Sequence, residues 1–420
     1  MTGWSANGRT PTAPRPGPRP RRAERGAILV QTAIMLVGLT AFGAFIVDYG
    51  VLWLARRQVQ NAADSAALAA AISLGFDAPG NQAQARQNAI IAAGQNPVWG
   101  LPADIRSGDI TFPACPVGSV PSGGGGVCVR VEVFRNQRGG GTPLPTIFAN
   151  LVNVTEQGVK ATATAQVLYG SAADCVKPFA IPDKWQELRG NVGPAGWDPL
   201  DTFERYTAAG TLLPGVVDYY EPPSGPLFGP NGTGYSRGTT GLGPGDYGAS
   251  VEFKPGLIPG KAGNASFLPV HITPGGLFGG DITSCASRVI QPGDTLEVEL
   301  NNVAGEFAAG VLSLVAQDPG AVWNPGMNGG LGGVSGGCMT SGGCTVSPRI
   351  IALPVFSPDA WDALGAAAGT VTVTRVIGFF VQRLEGAFIV GRFMVYPSAP
   401  RSTMTDSPQS AFVISAALVR

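Results

Sequence analysis

Histidine is almost missing from this chain, with His271 the only one in 420 residues. That excludes a site built from several imidazoles and leaves little for general acid–base work near neutral pH. Charge is scarce as well: 13% of residues are charged, and the 28 basic and 28 acidic side chains cancel. A zero balance excludes the phosphate-driven affinity of a nucleic-acid-binding protein. Cysteine is limited to six residues, with no Cys-x-x-Cys pair and no histidine at zinc-ligand spacing. What fills the chain instead is apolar material, 44% of residues, together with 61 glycines and 36 prolines. Such a composition supplies ample core and long loops, and no metal or cofactor is expected.

The N-terminal arm, residues 1–25, carries Pro11, Pro14, Pro16, Pro18 and Pro20, which remove helix donors. Six arginines against the single acid Glu24 make it strongly basic. From Gly26 to Val47 there follows an uncharged run that spans roughly 33 Å as a helix, enough for a hydrocarbon core of about 30 Å. The arginines before it predict a cytoplasmic N-terminus and an exported remainder. Small residues at Ala41-Phe42-Gly43 offer a cleavage site, but the run is longer than the ~7–15-residue core of a signal peptide, so a retained anchor is expected.

Beyond Asp48 the helical pattern continues without proline to about residue 75. Leu52, Ala55, Val59, Ala62, Ala66, Ala69 and Ser73 fall on one seam. A seam this rich in alanine admits a close neighbour, either a partner's helix or the chain's own domain. Asp77-Ala78-Pro79-Gly80 ends the helix.

The segment ERGAILVQTAIMLVGLTAFGAFIVDYGVLWLARRQVQNAADSAALAAA resembles the N-terminus of TadE/TadG-like Flp pilus assembly proteins. The residues that carry the resemblance are Arg25-Gly26 opening the membrane helix, Asp48-Tyr49-Gly50 closing it, Arg56-Arg57, and the run from Asn61 through Asp64 to Ala69. Two departures stand out. Gln31 and Thr32 occupy the positions where pilin-like relatives carry the glutamate and aromatic read by a prepilin peptidase, which favours a permanent TadG-like anchor over a processed pseudopilin. The Asp-x-Ser-x-Ser string of a von Willebrand A metal site, found in some TadG-like proteins, does not occur.

The exterior reads as α+β. The expected organisation is a basic arm at 1–25, a transmembrane helix at 26–47, an Ala-rich helical extension at 48–75, a small α+β region at 76–170, and a β-rich region with Gly/Pro loops at 171–420. Alternation predicts strands at 127–134, 159–168, 295–300, 371–378, 388–394 and 412–419, with a helix candidate at 81–94 and a short one at 146–152. Export permits disulfides. Cys115 and Cys128 flank a Gly-rich turn, Cys338 and Cys344 flank a short loop, and Cys175 with Cys285 would staple the second region, although six cysteines leave many pairings open.

Candidate chemistry is thin. Gly234-Tyr-Ser236-Arg-Gly238 fits G-x-S-x-G, with Asp246 and His271 following, but no strand and helix flank it as a nucleophile elbow requires. Gly256–Ala262 is a phosphate loop one residue short that lacks the magnesium-binding hydroxyl. Asp198, Asp201 and Glu204 cluster without calcium-loop spacing, and Trp185, Trp197, Trp323 and Trp361 read as core or loop anchors. No enzyme activity and no small-molecule substrate are expected. The resemblance implies a structural or assembly component of a Flp/Tad-type pilus, single-pass in the inner membrane, periplasmic after residue 48, with membrane lipid and pilus assembly proteins or pilins as partners. The alternative is a membrane-tethered binding or adhesive module unrelated to pili.

Overall fold

The computed structural model describes residues 22–76, 82–115, 128–188, 201–207, 209–221, 233–237, 245–256, 261–263, 265–341, 343–344, 346–365, 369–399 and 411–419. The arm up to residue 21, Trp197, Asp198 and Gly238 lie outside them. Helix α1, Arg22–Phe76, is continuous over 55 residues, about 80 Å. Its first half is apolar and uncovered. Its second half turns Ala55, Val59, Ala62, Ala63, Ala66, Ala67, Ala70 and Ala71 inward, all fully buried.

The chain's own domain covers that seam. Helix α2, Ala83–Gly94, lays Ala85, Ala89 and Ala93 against α1, a step of four that keeps one face small. Strands β1, Cys128–Arg135, and β2, Val159–Gly170, pair antiparallel. They offer Val129, Val131, Val133, Ala161, Ala163 and Ala165 to the same helix. Alanine facing alanine lets the backbones approach closely, so a helix with little apolar bulk still seals its sheet.

The sheet is completed from the other end of the sequence. The C-terminal strand Val413–Val419 pairs antiparallel with β2, Val413 opposite Gly170 and Val419 opposite Thr164. Sequence-based division puts this strand with residues 171–420; its hydrogen bonds put it in the sheet that packs on α1. The segment expected as a short helix at 146–152 is a single 3-10 turn, Ala149–Val152, in a loop closed by the two-residue pairing of Leu144–Pro145 with Glu156–Gln157.

Between them lies a second, closed sheet. Its strands are β3 Phe179–Pro182, β4 Ser250–Pro255, β5 Ser266–His271, β6 Thr295–Val298, β7 Ile350–Phe356, β8 Thr370–Glu385 and β9 Phe388–Met394. They run β7-β3-β5-β4-β9-β8-β6, and the pairing of β7 with β8 closes the sheet on itself. One of its two buried faces gathers Phe179, Phe253, Phe267, Phe379 and Phe393. Helix α3, Phe278–Thr283, and helix α4, Ala304–Gln317, pack into the same cluster with Phe278, Ile282, Phe307, Val311 and Leu314. The architecture is therefore α+β, with a long N-terminal helix followed by a strand-rich exterior.

Three disulfides join Cys115–Cys128, Cys175–Cys285 and Cys338–Cys344. Beside the second, buried Lys177 donates to the Ser284 carbonyl at 2.6 Å. Burial pushes its ammonium from 10.5 down to about 8, against the pull of Asp281. Because the folded value is the lower one, the cost of burying the charge is constant below pH 8 and is relieved as pH rises toward 10.5. We expect the stability difference between wild type and Lys177→Met to shift in favour of wild type by up to roughly 3 kcal/mol over that window. Denaturant titrations of both proteins at pH 7, 8, 9 and 10 read this directly, and parallel profiles would refute it.

Candidate functional site

The residues of the N-terminal motif line up along α1, and their surroundings change at Asp48. Below it, Leu29, Met35, Leu39 and Phe45 stand exposed around the helix, an apolar surface with no protein cover. Thr32 and Thr40 donate their hydroxyls to Ile28 and Leu36 one turn back, which satisfies them without water. Gln31 lies on the same exposed surface, and a side chain added at Gly26 or Gly50 would meet nothing. The helix is long and apolar enough to cross a membrane.

Asp48 closes this stretch. Its carboxylate accepts the backbone N–H groups of Ile147 at 2.9 Å, Phe148 at 3.0 Å and Ala149 at 2.5 Å. One side chain thus satisfies three amides at the start of the 3-10 turn, fastening loop 146–154 to the helix where the apolar run ends. Phe45 and Tyr49 stack beside it, ring centroids 5.9 Å apart. Further along, Asp64 accepts from Gln60 at 2.8 Å, which also reaches the Thr162 carbonyl, while Asn61 faces outward. Arg25 lies in the first turns of α1.

The far end of α1 is held by the G-x-S-x-G segment. Arg237 donates to the Gly75 carbonyl at 2.5 Å and lies over the Tyr169 ring. A cation on the last carbonyls of a helix suits the negative end of its dipole. Gly75 leaves room for the C-terminal strand: a Cβ there would come within 2.6 Å of Ile414 Cδ1, and that side-chain end would have to shift. Gly234, at φ +92°, packs its Cα against the Asp183–Arg375 ion pair, both partners of which a Cβ would meet at 3.0 Å. The motif's glycine and arginine therefore serve packing and helix capping. Sequence reasoning weighed only the serine.

The remaining candidates are dispersed. Asp246 accepts from Lys184 at 2.7 Å and from the Ser236 N–H at 2.8 Å, whereas His271 sits 3.1 Å from Glu299. Lys261 of the shortened phosphate loop donates to the Tyr206 carbonyl and faces Asp362. Asp201 is buried, and the Glu204 N–H donates to Asp218. Trp185 and Trp361 are buried in the core, and Trp323 packs on Phe380. Among the described residues, only Asp318, Cys338 and Cys344 come close enough to share an ion. The two sulfurs are bonded to each other, which leaves no thiolate to ligate, and the Asp318 carboxylate is used by the Cys338 N–H and the Ser347 hydroxyl.

The functional geometry is thus that of a stalk and its fittings: a bare apolar helix, a carboxylate collar at its exit, and an arginine cap at its end. Comparison with known proteins bears on this same segment. Residues 26–73 match the model of the TadE/G-like family of Flp pilus-assembly proteins. No curated protein and no solved structure matches the chain.

Proposed function

We propose, from the TadE/G-like segment at its N-terminus, that this protein is a structural or assembly component of a Flp/Tad-type pilus. Gly26–Val47 anchors it in the inner membrane, the basic arm faces the cytoplasm and the exterior region occupies the periplasm. The observation that carries the reading is the single uninterrupted helix that is bare and apolar at one end and the core of its own domain at the other. Such a helix transmits the position of the bilayer rigidly to the exterior. Three cystine bridges fit an oxidising compartment. The chemistry in this reading is non-covalent.

Deleting the gene is expected to abolish or alter surface pili, scored by electron microscopy and restored by the wild-type chain. Normal piliation would sink the reading, and normal piliation with lost surface attachment would instead favour the tethered adhesive module.

A second expectation concerns Gln31. A carboxylate at this depth is costly, whereas a neutral amide can hydrogen-bond across helices at about 1 kcal/mol per contact. Gln31 offers a prepilin peptidase no charge to read, so the mature chain is expected to keep residues 1–25. Mass spectrometry of the N-terminal peptide checks this, and a chain beginning at Ala27 would reassign the protein as a minor pilin.

A further inference from the structure

We propose that loop 146–154 is a second membrane contact: its apolar tip enters the leaflet facing the exterior region, and the groove between it and α1 takes a lipid acyl chain. The inference rests on the membrane anchor proposed above.

Depth is the first argument. The Asp48 carboxylate holds the amides of residues 147–149, so the loop begins at the level where the uncharged run of α1 ends. A mostly apolar groove of about 460 Å³ runs along α1 from Ala41 past Asp48 to Leu52, with Phe148, Ala149, Val154 and Gln157 on its other side. Ala41 precedes Asp48 by seven residues, which is about 10 Å further toward the bilayer centre. The groove therefore spans the boundary, its Ala41–Phe45 end within the hydrocarbon region of the leaflet and its Tyr49–Leu52 end among the headgroups.

The loop's chemistry fits that boundary. Ile147, Phe148 and Val154 are 54%, 39% and 43% exposed, with Asn150 and Asn153 exposed beside them on the same loop. Irregular backbone is tolerated near hydrocarbon only when its polar groups are satisfied internally. Here the amides of residues 147–149 bond Asp48, the Val154 N–H bonds the Ala149 carbonyl at 3.0 Å, and the Thr146 hydroxyl bonds the Val154 carbonyl at 2.5 Å. The charge of Asp48 is met by those same amides at the boundary. Just above it, exposed Tyr49 and Trp53 sit at headgroup height, with the Arg57 guanidinium 3.8 Å over the Trp53 ring. Two contacts, helix and loop, would fix the tilt of the exterior region where a helix alone would let it rotate.

The test places the photoreactive amino acid benzoylphenylalanine at Phe148, Leu36 or Val322 of the full chain in phospholipid vesicles, with adducts identified by mass spectrometry. Leu36 lies in the bare part of α1, and Val322 is exposed in the second region. Phospholipid adducts are expected at 36 and 148 and not at 322. Lipid at 36 without lipid at 148 overturns the loop contact and leaves the anchor standing. No lipid adduct at either position overturns the anchor reading and the loop with it. A protein adduct at 148 in place of lipid gives the groove to a partner chain and likewise overturns the proposal, as does equal lipid labelling at 322.

Discussion

Replacing Asp183 with alanine is expected to destabilise the exterior region by about 3–5 kcal/mol. Asp183 is fully buried at the end of β3, and its carboxylate receives the Arg375 guanidinium at 2.5 Å, the Tyr235 N–H at 3.0 Å and the Tyr220 hydroxyl at 3.2 Å. Arg375, itself only 4% exposed on β8, also donates to the Tyr235 carbonyl at 2.7 Å. Removing the carboxylate leaves a guanidinium buried without its counter-charge, which is worse than never having had the pair. The double replacement Asp183→Leu with Arg375→Met is therefore expected to recover much of the loss. Thermal unfolding of the detergent-solubilised chain distinguishes the two. An Asp183→Ala midpoint equal to wild type would show that the pair does not hold the barrel to the loop carrying Gly234 and Arg237.

Loss of the Cys175–Cys285 bridge should be the costliest of the three disulfide deletions. It closes a stretch of 110 residues, whereas Cys338–Cys344 closes 6. On the chain-entropy account the long loop contributes about 5 kcal/mol and the short one about 2, because an open chain has far more conformations to lose when the closed stretch is long. The bridge also sits where the chain enters the second region, next to the Ala173–Ile290 pairing and the buried Lys177. Paired Cys→Ser variants unfolded in urea give the ranking. A larger loss from Cys338/Cys344 than from Cys175/Cys285 would mean that native-state packing, not loop closure, sets the order.

Much of the architecture is written in local pattern. The uncharged run from Gly26 and the alanine seam after Asp48 are properties of length and period, so they are readable without knowing what surrounds them. Alternation likewise places β1, β2 and the start of β8, whose facing positions differ in polarity. Where both faces are buried the signal disappears. Strand β7 is buried at every position and carries Pro354, and β3 is buried throughout. Neither shows the contrast that marks a strand. Helix α4 escapes detection because Gly305 and Gly310 lower its helix propensity, and its Phe307, Val311, Leu314 stripe acquires meaning only against Ile282 and the aromatic core.

The sequence alone determined that a bare apolar helix leads into an α+β region, because hydrophobicity and its period act over a few neighbouring residues. Tertiary structure alone decided what each face meets. It assigned the alanine seam to the chain's own sheet, brought the C-terminal strand back across the molecule to β2, and turned G-x-S-x-G into a cap on α1. It also set Asp48 on amides 99 to 101 residues away. Those contacts join residues far apart along the chain, and a side chain's pattern states which face seeks cover without stating which distant segment provides it.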